Sequence, residues 1–247
     1  MNDRQHAPAG ELAAGRHSTY WSDAAWRDGR RVNLYKHFVR PGSLAFDIGA
    51  NCGEVTLVLL ELGCRVVAVE PQAAIAAAID PRAEVVVAAC GATVGEQSFY
   101  EIPANPYLST MSRQIADFNE STNGAWSAVE RQTPVVTLDS LIERYGVPAF
   151  TKIDVEGFEL EVFAGLSQAL PALSFEVHSF DASKAGGCVA RLEELGGEGG
   201  YGYLYSPEET YELQPWPPRQ LAWFGDVYAT HRTLELETAA VVEDSQP

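Results

Sequence analysis

Basic residues are scarce in this chain. Among its 247 residues, 17 are Lys or Arg and 34 are Asp or Glu, a formal net charge of −17. Such a surplus of carboxylates repels phosphate backbones and anionic lipid headgroups, which argues against a nucleic-acid or membrane partner. Solubility is its plain use. Cysteine is also sparse: Cys52, Cys64, Cys90 and Cys188 stand apart with no short-spaced pair. No zinc knuckle, redox pair or iron–sulfur ligand set is therefore written here, and a reduced cytosolic compartment is expected. Long apolar runs are missing too. Stretches such as LVLL at 57–60 are too short to span a bilayer, and the opening MNDRQHAPAG has no apolar stretch after its charges. Secretion and membrane insertion are not expected, and the chain reads as cytoplasmic.

What the sequence does hold is a 46% apolar composition, enough for one sizeable core. A single domain is expected over 19–231, between a flexible N-terminus at 1–18 and an acidic flexible tail at 232–247. Short Val- and Ile-rich runs (LAFDI, RVVAVE, EVVVAA, PVVTL, FTKIDV and ALSFEV) recur with helix-like segments between most of them. That is the pattern of buried parallel strands and crossover helices. Helices are expected over EVTLVLLEL up to Gly63, over QAAIAAAID, over LDSLIERYG with Asp139 as N-cap, and over FELEVFAGLSQAL up to Pro171. Tyr20, Trp26, Leu34, Tyr35 and Phe38 have a partly helical spacing that suits a packing helix. YGYLYS and LAWFGDVYAT read as two terminal antiparallel strands around the Pro-rich PWPPR. The segment 103–132 is polar and long for a connector, and it reads as a substrate-side insertion or lid. The fold class is α/β: a mostly parallel seven-stranded sheet with an antiparallel C-terminal hairpin and helices on both faces.

The chemistry starts at AFDIGANCGEVT, residues 45–56, where a strand ends in Asp47 and passes through a glycine turn into a helix. Ligands of open α/β sheets sit at such strand ends. Gly49 serves the tight turn and Gly53 the close approach of helix to ligand. Asn51, however, stands where a dinucleotide fingerprint has its second glycine, and no Lys-Ser or Lys-Thr pair follows for a triphosphate. S-adenosylmethionine suits the loop better: Asp47 can attract its cationic centre. Glu70, twenty-one residues after Gly49, ends RVVAVE where an acid accepts hydrogen bonds from both ribose hydroxyls. Pro71 follows it. Cys90 and Gly91 come after the third strand, beside the adenine, with Cys90 as a small apolar wall or plain core.

Four blocks, FDIGANCGEVT, VVTLDSL, KIDVEGFELEVFAG and LSFEVH, together spanning Phe46 to His178, resemble the FkbM-type methyltransferases. KIDVEGFE after TLDSL is the specific part. The resemblance implies a class I methyltransferase (Rossmann-like) fold, S-adenosylmethionine as donor, and a hydroxyl acceptor on a natural product or sugar. NPYLSTMS, 105–112, is similar to the family's Asn- and Ser-rich loop, with Tyr107 where smaller residues are common.

Methyl transfer to a hydroxyl needs an acceptor oxygen in line with the sulfonium methyl and a base within reach of its proton. His178, closing SFEVH, is the expected base, and Asp154, ending KID, the expected orienting or electrostatic group. A histidine bonded to a neighbouring carbonyl is the plain alternative. The cofactor set is thus Asp47, Gly49, Asn51, Gly53, Glu70, Pro71, Cys90, Gly91 and Asp154, and Ser109, Thr110 and Glu156 are expected on the substrate side. Asp154, Glu156, Glu176 and His178 could hold a divalent metal through oxygens and one imidazole, though a metal-free site is preferred. Capping the helix that begins at Phe158 is the plain alternative for Glu156. Lys152 alternates onto the side of Asp154 and suits a salt bridge in the crevice. A nicotinamide-dependent oxidoreductase and a cofactor-binding protein without catalysis are the rival readings. N- or carboxyl-methylation and a homodimer stay open.

Overall fold

The computed structural model describes residues 29–122, 127–179, 182–208, 210–222 and 224–233, with only the backbone of His178, Ala182 and Phe224. Residues 1–18, Tyr20, Trp26 and the tail beyond 233 lie outside the described residues. The parallel half of the main sheet comprises β1 (Leu44–Ile48), β2 (Arg65–Val69), β3 (Glu84–Val86), β7 (Phe150–Ile153) and β8 (Ala172–His178). The antiparallel end is β9 (Tyr201–Pro207), the two-residue β10 (Gln214–Pro215) and β11 (Phe224–His231). Across the eight strands the order is β10-β9-β11-β8-β7-β1-β2-β3. The expected mostly parallel sheet with a terminal antiparallel pair is present, with eight strands where seven were expected because the two-residue β10 adds an edge, and β11 lies between β8 and β9.

The central strands β1, β2 and β7 are buried on both faces, which is why they read as unbroken apolar runs. One face carries α1 (Arg30–Tyr35) and α2 (Glu54–Glu61), with Leu34, Tyr35, Val58 and Leu59 packed on Ala45, Phe150 and Tyr228. Phe38 stacks between Phe150 and Tyr228, at ring distances of 5.3 and 5.0 Å. The other face carries α5 (Leu138–Tyr145), α6 (Glu159–Ala164) and α7 (Ala182–Gly196), which bury Leu141, Phe163 and Leu192 against Phe46, Ile153 and Phe175. No helix among the described residues is long and apolar enough to cross a membrane.

Several expectations need correction. PVVTL does not join the main sheet. It ends β6 (Val129–Val136), which pairs antiparallel with β5 (Gly95–Glu101) and parallel with β4 (Ala89–Cys90) in a separate three-stranded sheet. β5 supplies the partner that the main sheet does not. The segment 103–132 is correspondingly not all connector: it holds a 3₁₀ turn (Pro106–Leu108) and α4 (Arg113–Thr122), and its end is the first half of β6. QAAIAAAID gives only the one-turn α3 (Ala73–Ala76), since alanines bury too little to hold more helix on the sheet. The helix expected up to Pro171 stops at Gly165, whose missing Cβ would lie 2.3 Å from the Gly91 carbonyl oxygen. Thr137, not Asp139, caps α5, in a reciprocal capping box with Ser140. Asp139 instead accepts a hydrogen bond from Ser167 N at 3.0 Å.

Candidate functional site

The chain runs outward from β1 in opposite directions, to β2 and β3 on one side and to β7 and β8 on the other. That reversal opens a crevice at the carboxyl ends of β1 and β7. Three residues of the loop after β1 take left-handed backbone: Gly49 (φ 77), Asn51 (φ 49) and Gly53 (φ 88). Asparagine is among the few side chains that tolerate this region, which explains how Asn51 occupies the place where a dinucleotide fingerprint has glycine. Its Oδ1 accepts from Cys52 N at 2.7 Å, and its own N–H donates to Glu70 Oε2 at 3.0 Å.

Glu70 is buried at 4% exposure at the end of β2. Its Oε1 accepts from Gln72 N at 2.9 Å and from Gln72 Nε2 at 3.3 Å. Burial pushes its carboxyl up to about 7 against the lowering effect of these bonds. Gly49 is pressed on the opposite loop, so that a Cβ there would lie 1.7 Å from the backbone oxygen of Asp154. Asp154 itself is held by Lys152, whose Nζ donates to its Oδ2 at 2.6 Å. The salt bridge expected between these two residues is present.

Between these loops lies a cavity with about 590 Å³ of empty space, its mouth included. The wall includes Gly49, Asn51, Glu70, Pro71, Cys90, Ser109, Asp154 and Glu156 from the expected set. Asp47, Gly53, Gly91 and Thr110 are not on it. Asp47 is 1% exposed and sits behind the loop, where its Oδ2 accepts from Thr56 Oγ1 at 2.6 Å and so ties β1 to the first turn of α2. Gly91 packs beneath Val135 and Phe158. Burial pushes the Cys90 thiol up to about 12, so it stays protonated and acts as the apolar wall expected of it.

The insertion completes the enclosure with residues the sequence pattern did not single out. Phe99, Pro106 and Met111 line the cavity together with Tyr107, noted only as a departure from the family loop. Tyr107 Oη lies 3.6 Å from Cys52 Sγ, and Gln72 Nε2 donates to the Pro106 carbonyl at 3.3 Å. These contacts seat the 3₁₀ turn over the glycine loop.

Carboxylate oxygens of Asp154 and Glu156, on the wall, and of Glu176, which is not on it, all lie within 4.8 Å of one another. Burial pushes the Glu176 carboxyl well above the ordinary range, and the charge of Asp154 adds to it. Glu156 does not cap α6, because its backbone is left-handed (φ 54). α6 has no side-chain cap at Phe158, and Glu159 in its first turn instead braces the preceding turn, accepting from Gly157 N at 3.1 Å and Val155 N at 3.2 Å. The His178 side chain lies outside the described residues; its backbone ends β8, in register with Phe224.

The donor set fits an adenosyl ligand. Glu70 has acceptor capacity left for a ribose diol, Cys90, Ala89 and Met111 offer an apolar slot for a flat base, and Gly49 leaves its side of the loop bare. A mostly parallel sheet with an inserted antiparallel last strand and such a cleft is the Rossmann-like fold of class I methyltransferases. The methyltransferase FkbM domain model matches residues 47–205, and the chain belongs to that family. It is an S-adenosylmethionine-dependent methyltransferase.

No curated protein matches the chain. Among solved structures it is similar to a precorrin-6y C5,15-methyltransferase from Geobacter metallireducens, at 13% identity over 87% of this chain and 92% of that one, with a TM-score of 0.44. A TehB-like SAM-dependent methyltransferase from Corynebacterium glutamicum is 12% identical over 90% of this chain and 93% of its own, with a TM-score of 0.46. A SAM-dependent O-methyltransferase from Thermotoga maritima is 13% identical over 82% and 64%, with a TM-score of 0.36. The family match carries the identification, not these distant likenesses.

The state of Glu70 gives donor binding a pH dependence. Ribose hydroxyls donate to the carboxylate, so the bound complex prefers the ionised form, and binding below its raised pKa releases a proton. Affinity for S-adenosylhomocysteine is therefore expected to rise with pH and level off above about 7. Calorimetry from about pH 6 to about pH 8 should show a gain approaching tenfold. Glu70→Gln should bind more weakly and lose the pH dependence; a slope that persists in Glu70→Gln would assign the proton to another group.

Proposed function

We propose that the chain transfers the methyl group of S-adenosylmethionine to a hydroxyl of a small molecule, a natural product or sugar, in the cytoplasm and without a nucleic-acid or membrane partner. The observation that carries this reading is the convergence of Glu176 on Asp154 and Glu156, the latter two on the cavity wall. Asp154, paired with Lys152, offers carboxylate oxygens that accept hydrogen bonds, and Glu176, whose carboxyl burial pushes well above the ordinary range, offers an O–H; together they suit the hydroxyl groups of an acceptor, which both donate and accept. The acceptor oxygen attacks the methyl carbon as the carbon–sulfur bond breaks, and its proton passes to a base. His178 is the proposed base and Asp154, pinned by Lys152, the proposed orienting group. The carboxylates suit a divalent ion as well, but the reading does not require one.

The test is transfer of labelled methyl from S-adenosylmethionine to a panel of neutral sugars, polyhydroxylated natural products, amines and carboxylic acids, with magnesium or with EDTA. Product from hydroxyl compounds alone, in both metal conditions, is expected. His178→Ala should keep S-adenosylhomocysteine affinity and lose about 10²–10⁴-fold in turnover. Methylated amines or acids without methyl ethers would overturn the acceptor class, and loss of product with EDTA would assign a metal to the acids.

A further inference from the structure

Thr110 was expected to face the substrate, yet it is 1% exposed and its hydroxyl is committed elsewhere. It is fixed to β5 on both sides of its peptide: Tyr100 N donates to Thr110 O at 2.8 Å, and Thr110 N to Tyr100 O at 3.2 Å. Its Oγ1 accepts from Ser112 N at 2.9 Å and donates to the carbonyl oxygen of Glu156 at 2.8 Å. The insertion thereby reaches the turn that follows β7 through a buried hydrogen bond.

Glu156 is where that bond matters. A glutamate at φ 54 is strained and persists only where its surroundings over-determine it. Beside it Gly157 is also left-handed (φ 88), with the Ile115 side chain 2.9 Å from the position of a Cβ. Lys184 Nζ donates to the Gly157 carbonyl at 3.1 Å, and the Glu159 carboxylate braces the turn from below. So held, Glu156 lines the cavity and its carboxylate lies among those of Asp154 and Glu176.

We propose that Thr110 is a positioning residue for methyl transfer: its hydroxyl holds Glu156 in the left-handed conformation that brings the Glu156 carboxylate to Asp154 at the acceptor end of the cavity. This rests on the reading of that end as the place of the hydroxyl acceptor. The substrate-side insertion and the acceptor-side acid thus act as one unit, with Thr110 as the joint.

Thr110→Val keeps the shape and removes the hydroxyl, and Thr110→Ser keeps the hydroxyl. Crystal structures with S-adenosylhomocysteine are expected to show Glu156 out of the left-handed region in the valine variant and unchanged in the serine variant. With a methylated panel compound, Thr110→Val should lower kcat by about tenfold while the KM for the donor stays within about twofold, and Thr110→Ser should restore kcat. A background that tolerates the turn supplies an independent readout. Against Glu156, Thr110→Val should lower Tm by about 2–4 °C; against Glu156→Gly, which accepts the same φ freely, by under about 1 °C. An unmoved Glu156 backbone in Thr110→Val, or equal Tm losses in both backgrounds, overturns the proposal. Failure of the acceptor reading looks different: the wild-type chain then methylates no hydroxyl compound, while the geometry and Tm comparisons still decide the role of Thr110.

Discussion

Gly49→Ala should abolish donor binding and destabilise the chain by more than about 3 kcal/mol. Two independent costs meet at this residue. Its φ of 77 lies in the region that a Cβ penalises. The added carbon would also lie 1.7 Å from the Asp154 backbone oxygen, a clash between two main chains that no rotamer change relieves. The loops after β1 and β7 must separate, and that moves Asn51, Asp154 and Val155, all on the cavity wall. Urea midpoints and calorimetry with S-adenosylhomocysteine measure the two effects. Near-native affinity in Gly49→Ala would mean that the loops are not in contact as described.

Lys152→Met should be nearly as damaging, at about 3 kcal/mol, the lower end of what breaking a buried pair costs, because Asp154 keeps partial access to water. Lys152 is 7% exposed, and its ion-pair partner Asp154 retains 31% side-chain exposure. Burial alone would lower the lysine pKa, but Asp154, Tyr35, Asp47 and Asp226 more than reverse this and hold it well above its ordinary value. Removing the cation leaves Asp47, already pushed up by its own burial, without its principal counter-charge. Asp47→Asn should accordingly recover part of the loss, and a double-mutant cycle by urea denaturation measures how much. Additive losses would show that the two residues do not interact.

Much of this was legible because burial on both faces writes β1, β2, β7 and β8 as apolar runs and the glycine loop joins a strand to a helix. Lys152 and Asp154 were placed together by alternation along a strand, and their ion pair follows from it. Depth was harder to read. Asp47 lies in register with Lys152 on the neighbouring strand β1, but nothing in its spacing says that Thr56 takes its carboxylate away from the cavity. Glu156 and Glu159 both precede or open the same helix, and the backbone turn at Glu156 decided which of them braces it. α7 was hidden by Gly186 and Gly187, which look like breakers. A Cβ at Gly187 would sit in ordinary contact with Leu160, so that position marks the approach of two helices instead. The walls from Phe99, Tyr107 and Met111 depend on how the insertion folds back, which no local pattern states.

The position of β11 also sets an order of assembly. β1, β2, β3, β7 and β8 can pair in the order in which they leave the ribosome, but β9 has no place in the main sheet until β11 has bonded to β8. Between the synthesis of Tyr201 and that of His231, the aromatic strand β9 has only the two-residue β10 to pair with, while its other edge and the outer edge of β8 stay open. Such pairing across long sequence separation is slow, and open edges invite association with other chains. The nascent protein is therefore most exposed to misassembly while β9 waits for β11, when the strands that frame its donor cleft are already made.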